Sequence, residues 1–393
     1  MEEKTMMPGK QFDYFSPQQI TTGLGSVNRV GMLYKSYGKR ALLVTDEVMV
    51  KIGIASRVIT CLEEAGIAVS VYEQVNDEPS IEHVDAGAKV FIQDKCQFLI
   101  ALGGGSPIDA AKAIGAVVTH KTPIRNFMGL HKIPGPNVPL IAIPTTAGTG
   151  SEVTRVTIIT DSQEEVKMLI LSNYLLPTVA ICDAELTVTL PQRLTAAVGL
   201  DALTHAIEAY ISQKAQPFTD IIALEAIRLI SRYLRQAWIN GSNLEARHHM
   251  MLASTLAGLA FSNSSVALVH GMARPIGACF HVPHGISNAV LLPTVMRFTV
   301  PGNVEKFARI AEAMGEQVAD LSIHEAAENA VNAVERLCGD FGMSGLRSAG
   351  VSETELKRLA PKMARDAIAS GSPGNNPRIA TEEEIIQLYM DAY

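Results

Sequence analysis

The feature that most constrains this chain is a change of texture near residue 187: short apolar runs alternate with helical patterns before it, and only long helical patterns follow it. Ala41–Thr45 and Val69–Tyr72 read as buried strands. Val48–Gly66 between them reads as a helix closed by Gly66, which makes a βαβ crossover. The pattern repeats, with a helix capped by Ser80 through about Gln93, a strand at Gln97–Leu102, a helix at Ser106–Val118 and a strand at Pro139–Ile143. Val156–Thr160 and Val179–Cys182 are further strand candidates. Such alternation builds a mostly parallel sheet covered on both faces. Beyond it, Pro191–Ser212, Thr219–Trp238, Asn243–Phe261, Val304–Met314 and Ile323–Cys338 are helical with no convincing strand between them. The expectation is an α/β domain over residues 1–187 and an all-helical domain over 188–393. Ser352–Glu355 and Thr381–Glu384 each match a capping box.

Charge narrows the function. The chain has 33 Lys and Arg against 40 Asp and Glu, a formal −7, and no basic run, so a nucleic-acid backbone is not expected as a partner. Five scattered cysteines without a Cys-x-x-Cys fit free thiols in a reducing compartment. Met1–Phe15 carries Glu2, Glu3, Lys4 and Lys10 and lacks the apolar core of a signal peptide, so the expected location is cytoplasmic. Met250–Ala273 contains no charged residue and has the length of a membrane span, yet Ser262-Asn263-Ser264-Ser265 sits inside it. Four polar side chains there favour a buried helix or helix pair over lipid.

Three places carry chemistry. Gly103-Gly104-Gly105-Ser106 lies between an apolar strand and a helix with Pro107 in its first turn. Glycine admits close backbone approach, and the free amides of the helix start favour an anion, so the segment reads as a phosphate site. A second loop, Pro144–Glu152, follows another apolar strand and would line the same sheet edge, where open α/β sheets bind ligands. Asp46, at the end of the first strand, is placed either to accept ribose hydroxyls or to cap a helix. In the helical half, Asp201 and His205 share one helical face, and His270 and His284 lie among small and apolar residues. One carboxylate and three imidazoles suit Fe²⁺, Zn²⁺ or another divalent transition metal.

These segments make the chain resemble the iron-containing (group III) alcohol dehydrogenases: GGGSPIDAAKAIG at 103–115, PTTAGTGSEVT at 144–154, GLDALTHAIEAY at 199–210 and VHGMARPIGACFHVPHG at 269–285. The resemblance implies a dinucleotide-binding N-terminal domain and a helical C-terminal domain. It further implies a divalent metal, Fe²⁺ first and Zn²⁺ or Mn²⁺ next, on Asp201, His205, His270 and His284. NAD(H) would be held at Gly103, Gly104, Gly105 and Ser106, with Asp109, Thr145, Thr146, Thr149 and Lys167 contacting it. The implied activity is hydride transfer between nicotinamide and a small primary alcohol or aldehyde. A homodimer built through N-terminal strands is implied as well. Gln18–Gly25 has strand character without a local partner.

One position departs from the family. Many members carry a histidine, often given a proton-relay role, four residues after the third metal ligand; here that place holds Arg274. Arginine cannot relay as a base. His281 is the candidate substitute, and a purely structural role for both residues stays open. Arg274 is one helical turn from His270, and Arg155 follows the second loop, so both are candidates for the distal end of an anionic substrate: a carboxylate, sulfonate or phosphonate. The competing activities are a dehydroquinate-synthase-like lyase that recycles its NAD, and a metal-dependent hydrolase whose glycine loop holds substrate phosphate.

Overall fold

The apolar runs of the first half become neighbours because helices return the chain across them. The computed structural model describes residues 11–33, 35–164 and 166–393. The first ten residues, on which the reading of the N-terminus partly rests, lie outside the described residues. In chain order the first half comprises β1 (Gln19–Thr22), α1 (Val30–Leu33), β2 (Arg40–Val44), α2 (Glu47–Lys51), α3 (Ile54–Glu64), β3 (Ala68–Tyr72), α4 (Ile81–Gln93), β4 (Phe98–Gly103) and α5 (Gly105–His120). It continues with β5 (Gly129–Leu130), β6 (Leu140–Pro144), β7 (Val156–Asp161), β8 (Val166–Leu171) and β9 (Val179–Cys182). Six strands form one parallel sheet in the order β1-β9-β6-β4-β2-β3. From β2 the chain steps outward to β3 and then back across to β4. The switch point therefore lies between the carboxyl ends of β2 and β4, where Asp46 and Gly103 sit.

Alternate residues explain the two covered faces. Leu42, Leu99, Ala101 and Ala142 pack with Phe91, Ile108 and Ile114 of α4 and α5, whereas Ala41, Leu43, Ile100 and Ile141 pack with Ala55, Val58 and Leu62 of α3. Three details differ from the sequence reading. The helix expected over 48–66 is two helices, because Gly53 takes a left-handed φ of 82° between them; Gly66 closes the second as expected. The segment Gln18–Gly25 does supply a strand, and its partner is β9, some 160 residues away. A small second sheet, β5-β8-β7, pairs β7 with the unforeseen strand β8.

The second half is helical: α6 (Gln192–Ile211), α7 (Pro217–Ile239), α8 (Leu244–Asn263), α9 (Leu268–Phe280), α10 (His284–Thr299), α11 (Val304–Ala313), α12 (Ile323–Asp340), α13 (Glu353–Ala369) and α14 (Glu382–Asp391). α6 is its axis, buried on almost every side from Thr195 to Ile211. The capping box at Thr381–Glu384 forms, but Ser352 makes no side-chain cap, and Glu355 instead binds Arg358. The uncharged stretch becomes α8 and α9, bent by 103°, and among the described residues no single helix is long and apolar enough to cross a membrane. Its polar centre is satisfied: Ser262 receives Arg155, Asn263 brackets the backbone of Phe15, Ser264 donates to Ala260, and Ser265 accepts from Asn375.

The halves meet on glycine. A Cβ at Gly150, whose φ is 62°, would lie 2.5 Å from the Gly258 Cα, so α8 rests directly on the second loop. Beside this contact Thr255 of α8 donates to the buried Glu152 at 3.0 Å.

Candidate active site

Asp201, His205, His270 and His284 converge from α6, α9 and α10, with one donor atom from each inside a span of 4.8 Å. Asp201 Oδ2 is 3.9 Å from His205 Nδ1, while Asp201 Oδ1 is 3.9 Å from His270 Nε2 and 3.7 Å from His284 Nε2. Donors around a first-row cation at ~2.1 Å stand about 3.4 Å apart in a tetrahedron, so the set fits a divalent metal after a small contraction. Its chemistry fits too. His205 Nδ1 is buried with no hydrogen-bond partner among the described residues, which leaves its lone pair available to a cation. The ring is clamped between Phe261 at 4.3 Å and His270 at 4.5 Å. Burial lowers the pKa of His205 and drives that of His270 well down. Burial also opposes the charge on Asp201, but the three imidazoles outweigh it and hold the carboxyl below its usual range. A metal needs neutral imidazoles beside a carboxylate, and burial disfavours the proton on His205 and His270. Three of the candidate ligands are buried, and His284, with a side chain 48% exposed, lies on the open side.

Glu208 was not singled out from the sequence, although it lies one turn beyond His205. It is 1% exposed, accepts the amides of Ala267, Val269 and His270 at 2.9, 2.5 and 3.4 Å, and meets His270 Nδ1 at 2.7 Å. The carboxylate thus caps α9, whose own N-cap residue has no capping side chain, and accepts a hydrogen bond from the His270 Nδ1–H, which leaves Nε2 facing the four-residue cluster. Burial pushes its pKa up to about 7 against those three amides. Asn288, one turn beyond His284, donates to Asp201 Oδ1 at 2.6 Å and packs into the same cluster.

The two loops face one another at the switch point. Gly103 has φ 146°, and a Cβ there would strike Pro107 at 2.7 Å and approach Asp46 Oδ2 to 3.2 Å. A Cβ on Gly105 would meet Thr149 Cγ2 at 3.1 Å, and one on Gly104 would meet the Thr146 hydroxyl at 3.6 Å. Gly104 caps the 16-residue α5 without a side-chain bond, Ser106 is half-buried in its first turn, and the Thr146 hydroxyl is buried without a partner. Free helix-start amides, absent side chains and an orphan hydroxyl around one gap are what a pyrophosphate requires. Thr145 closes the base of the gap, its amide donating to the Gly103 carbonyl at 2.9 Å. Asp46 is a helix cap, its Oδ1 accepting the Met49 amide of α2 at 2.9 Å, and its Oδ2 lies beside Gly103.

Residues 17–184 match the iron-containing alcohol dehydrogenase domain, and residues 195–393 match the C-terminal domain of the Fe-containing alcohol dehydrogenase family. The chain belongs to the iron-containing alcohol dehydrogenase family. It is 44% identical to the 1,3-propanediol dehydrogenase of Citrobacter freundii over 391 residues, covering 98% of this chain and all of that one. A solved 1,3-propanediol oxidoreductase superposes with a TM-score of 0.95 at 43% identity, over 98% of this chain and 100% of that one. Sulfoacetaldehyde reductase from Bifidobacterium kashiwanohense, solved with NAD⁺, gives a TM-score of 0.86 at 30% identity, over 98% and 99%.

Several residues expected to serve the dehydrogenase site are engaged elsewhere. Asp109 accepts from Ser151 Oγ at 2.5 Å and from the Ile158 amide at 2.9 Å, so both of its oxygens are bonded within the chain. Lys167 on β8 pairs with Glu78 at 2.6 Å. Arg155 gives Nη1 to Asn173 at 2.8 Å and Nη2 to the Ser262 carbonyl at 2.5 Å and stacks on Phe15, while its buried Nε finds no partner among the described residues. His281 is exposed at the end of α9 in a left-handed conformation, φ 55°, and stands outside the four-ligand group. Arg274 lies nearer the four-residue cluster. It is half-buried one turn from His270, donates to Ser372 at 3.0 Å, and forms no ion pair among the described residues.

Proposed function

We propose that this protein interconverts a short primary alcohol and its aldehyde, using NAD(H) and a divalent metal, Fe²⁺ first, on Asp201, His205, His270 and His284. The observation that carries the reading is the pairing of an Asp-His₃ donor set, buried except for His284, with a glycine-lined gap at the sheet's switch point. A metal at the donor set supplies Lewis acidity toward the substrate oxygen, and nicotinamide carries the hydride. The chain does the rest. Glu208 fixes the tautomer of His270, the glycine loop and Thr146 hold the pyrophosphate, and the close seat of α8 on Gly150 fixes the distance between the two centres. The lyase and hydrolase readings predict no net NADH. Purified enzyme loaded with Fe²⁺ is expected to form NADH stoichiometrically with aldehyde, and its failure to do so with any short alcohol would discard the oxidoreductase reading.

Asp46 supports NAD(H) over NADP(H), because its free Oδ2 would repel a 2′-phosphate and accept ribose hydroxyls. Asp46→Gly is expected to raise kcat/KM for NADPH relative to NADH; equal values for the two cofactors in the wild type would refute the assignment. The outer edge of β1 leaves a row of strand amides and carbonyls unpaired among the described residues, which supports a homodimer formed there. A concentration-independent monomer mass in light scattering would remove it.

For the distal end of the substrate we propose a carboxylate, sulfonate or phosphonate bound by Arg274. A guanidinium in a partly dry cleft, with a serine hydroxyl, no direct ion pair among the described residues and only the more distant charge of Glu208 to offset it, suits an oxyanion. The sulfoacetaldehyde reductase among the structural relatives supports this chemistry. Arg274→Ala is expected to weaken an anionic aldehyde by about 2–4 kcal/mol in kcat/KM and to spare a neutral aldehyde of the same length. Equal losses on both, or a wild type that prefers plain 1-alkanols, would exclude the anion pocket.

A further inference from the structure

Lys112 is fully buried, yet nothing in the proposed chemistry uses it. Its ammonium has three hydrogens and three acceptors: Ser151 Oγ at 2.9 Å, Thr154 Oγ1 at 2.9 Å and the Val156 carbonyl at 2.8 Å. The counter-charge is Asp109, one turn earlier on α5, 3.7 Å away and joined through Ser151, which accepts from Lys112 and donates to Asp109 at 2.5 Å. Asp109 adds two more ties, from its second oxygen to the Ile158 amide at 2.9 Å and from its carbonyl to the Thr157 hydroxyl at 2.8 Å. All these partners fall in one segment, residues 151–158. That segment leaves the second loop at Gly150, and α5 leaves the first at Gly104, so the bonds lock the two loops from behind.

We infer that Lys112, with Asp109 and Ser151, is a positioning brace that sets the width of the gap between the two glycine-rich loops and thereby the affinity for the dinucleotide. The inference rests on the proposal that these loops hold NAD(H). The gap has little slack. Gly105 faces Thr149 at a distance where one methyl would already be tight, so a displacement of a few tenths of an ångström on either side changes how many loop amides reach a pyrophosphate. An uncharged side chain of similar length at position 112 leaves three buried acceptors and the Asp109 carboxylate without their cation, and segment 151–158 must shift to rehydrate them. Burial lowers the pKa of Lys112 to about 8, with Asp109 and then Glu152 opposing that fall, so the charge of the brace is only moderately held.

The test is Lys112→Met beside the milder Ser151→Ala, each as metal-loaded enzyme, with the NADH Kd from fluorescence, kcat and KM from initial rates, bound metal and Tm. The expected result is a Kd and KM for NADH raised at least tenfold in Lys112→Met and several-fold in Ser151→Ala, with kcat at saturating NADH within threefold and full metal content. The double variant is expected to be no worse than Lys112→Met alone, because both changes break one linkage. Unchanged NADH affinity with a lowered Tm would make the cluster merely structural and overturn the inference, as would parallel losses of NADH affinity and metal. Gly105→Val separates the two layers of the argument. If it abolishes NADH binding while Lys112→Met leaves it intact, the brace fails alone; if it too leaves binding intact, the loops do not hold the cofactor and both readings fall.

Discussion

His270→Ala is expected to lose most of its bound metal and more than about a hundredfold in kcat/KM, since removing partners one bond beyond a metal's ligands already costs about 10–100-fold. The change deletes the Nε2 donor that faces Asp201 and also the Nδ1 that meets Glu208 at 2.7 Å. It does not touch the dinucleotide gap, which is built by β2, β4, α5 and the second loop, so NADH binding should persist. The decisive measurement is metal content after dialysis, by elemental analysis, alongside circular dichroism and the NADH Kd. A variant that folds, binds NADH and retains one metal per chain would show that these four residues are not its ligands.

The four candidate ligands were legible as a cluster because each sits in a short motif on a helix or at its start, and the i, i+4 spacing of Asp201 and His205 places both on one face whatever the rest of the chain does. Glu208 was not, although it shares that helix. Its role depends on the N-terminus of α9 arriving against α6 from some sixty residues away, and a sequence gives only the carboxylate. Asp109 and Arg155 show the opposite limit. Both stand next to recognisable loops, but the direction of a side chain is fixed by its partners, here Ser151 and Ile158 for one and Asn173 and Ser262 for the other. The sheet shows the same limit. β2, β4 and β6 announce themselves as continuous apolar runs, whereas β1 is polar at its ends and finds β9 only when the whole α/β unit has closed. The split at Gly53 was missed although the signal is local: a glycine inside an otherwise helical run is where a left-handed residue can divide it.

Gly258→Val should lower kcat by about a hundredfold while leaving metal content and NADH affinity near wild type, because it moves two intact centres apart. On Gly258 even the first side-chain carbon would lie 2.8 Å from the Gly150 Cα, 2.8 Å from Val153 Cγ2 and 2.9 Å from the Gly150 carbonyl. Two of these three atoms are backbone and cannot rotate away. The turn at Gly150 is itself held in a left-handed conformation, and Val153 is fully buried, so the strain must be relieved by backing α8 off the second loop. Overpacking of this kind costs about 1–3 kcal/mol of stability, and the folded fraction should survive it in a chain with cores on both sides of the joint. The functional loss is larger because α8 carries Phe261, against which the His205 ring is stacked, and the second loop carries Thr146 and Thr149 at the dinucleotide gap. A displacement of about 1 Å between donor and acceptor carbons is enough to lose two orders of magnitude in rate. The measurement is single-turnover hydride transfer with saturating cofactor and substrate, read beside metal content and the NADH Kd. A rate within threefold of wild type would mean that the spacing of the two centres is set elsewhere. Loss of metal or of NADH binding would mean that the joint supports one centre rather than the distance between them.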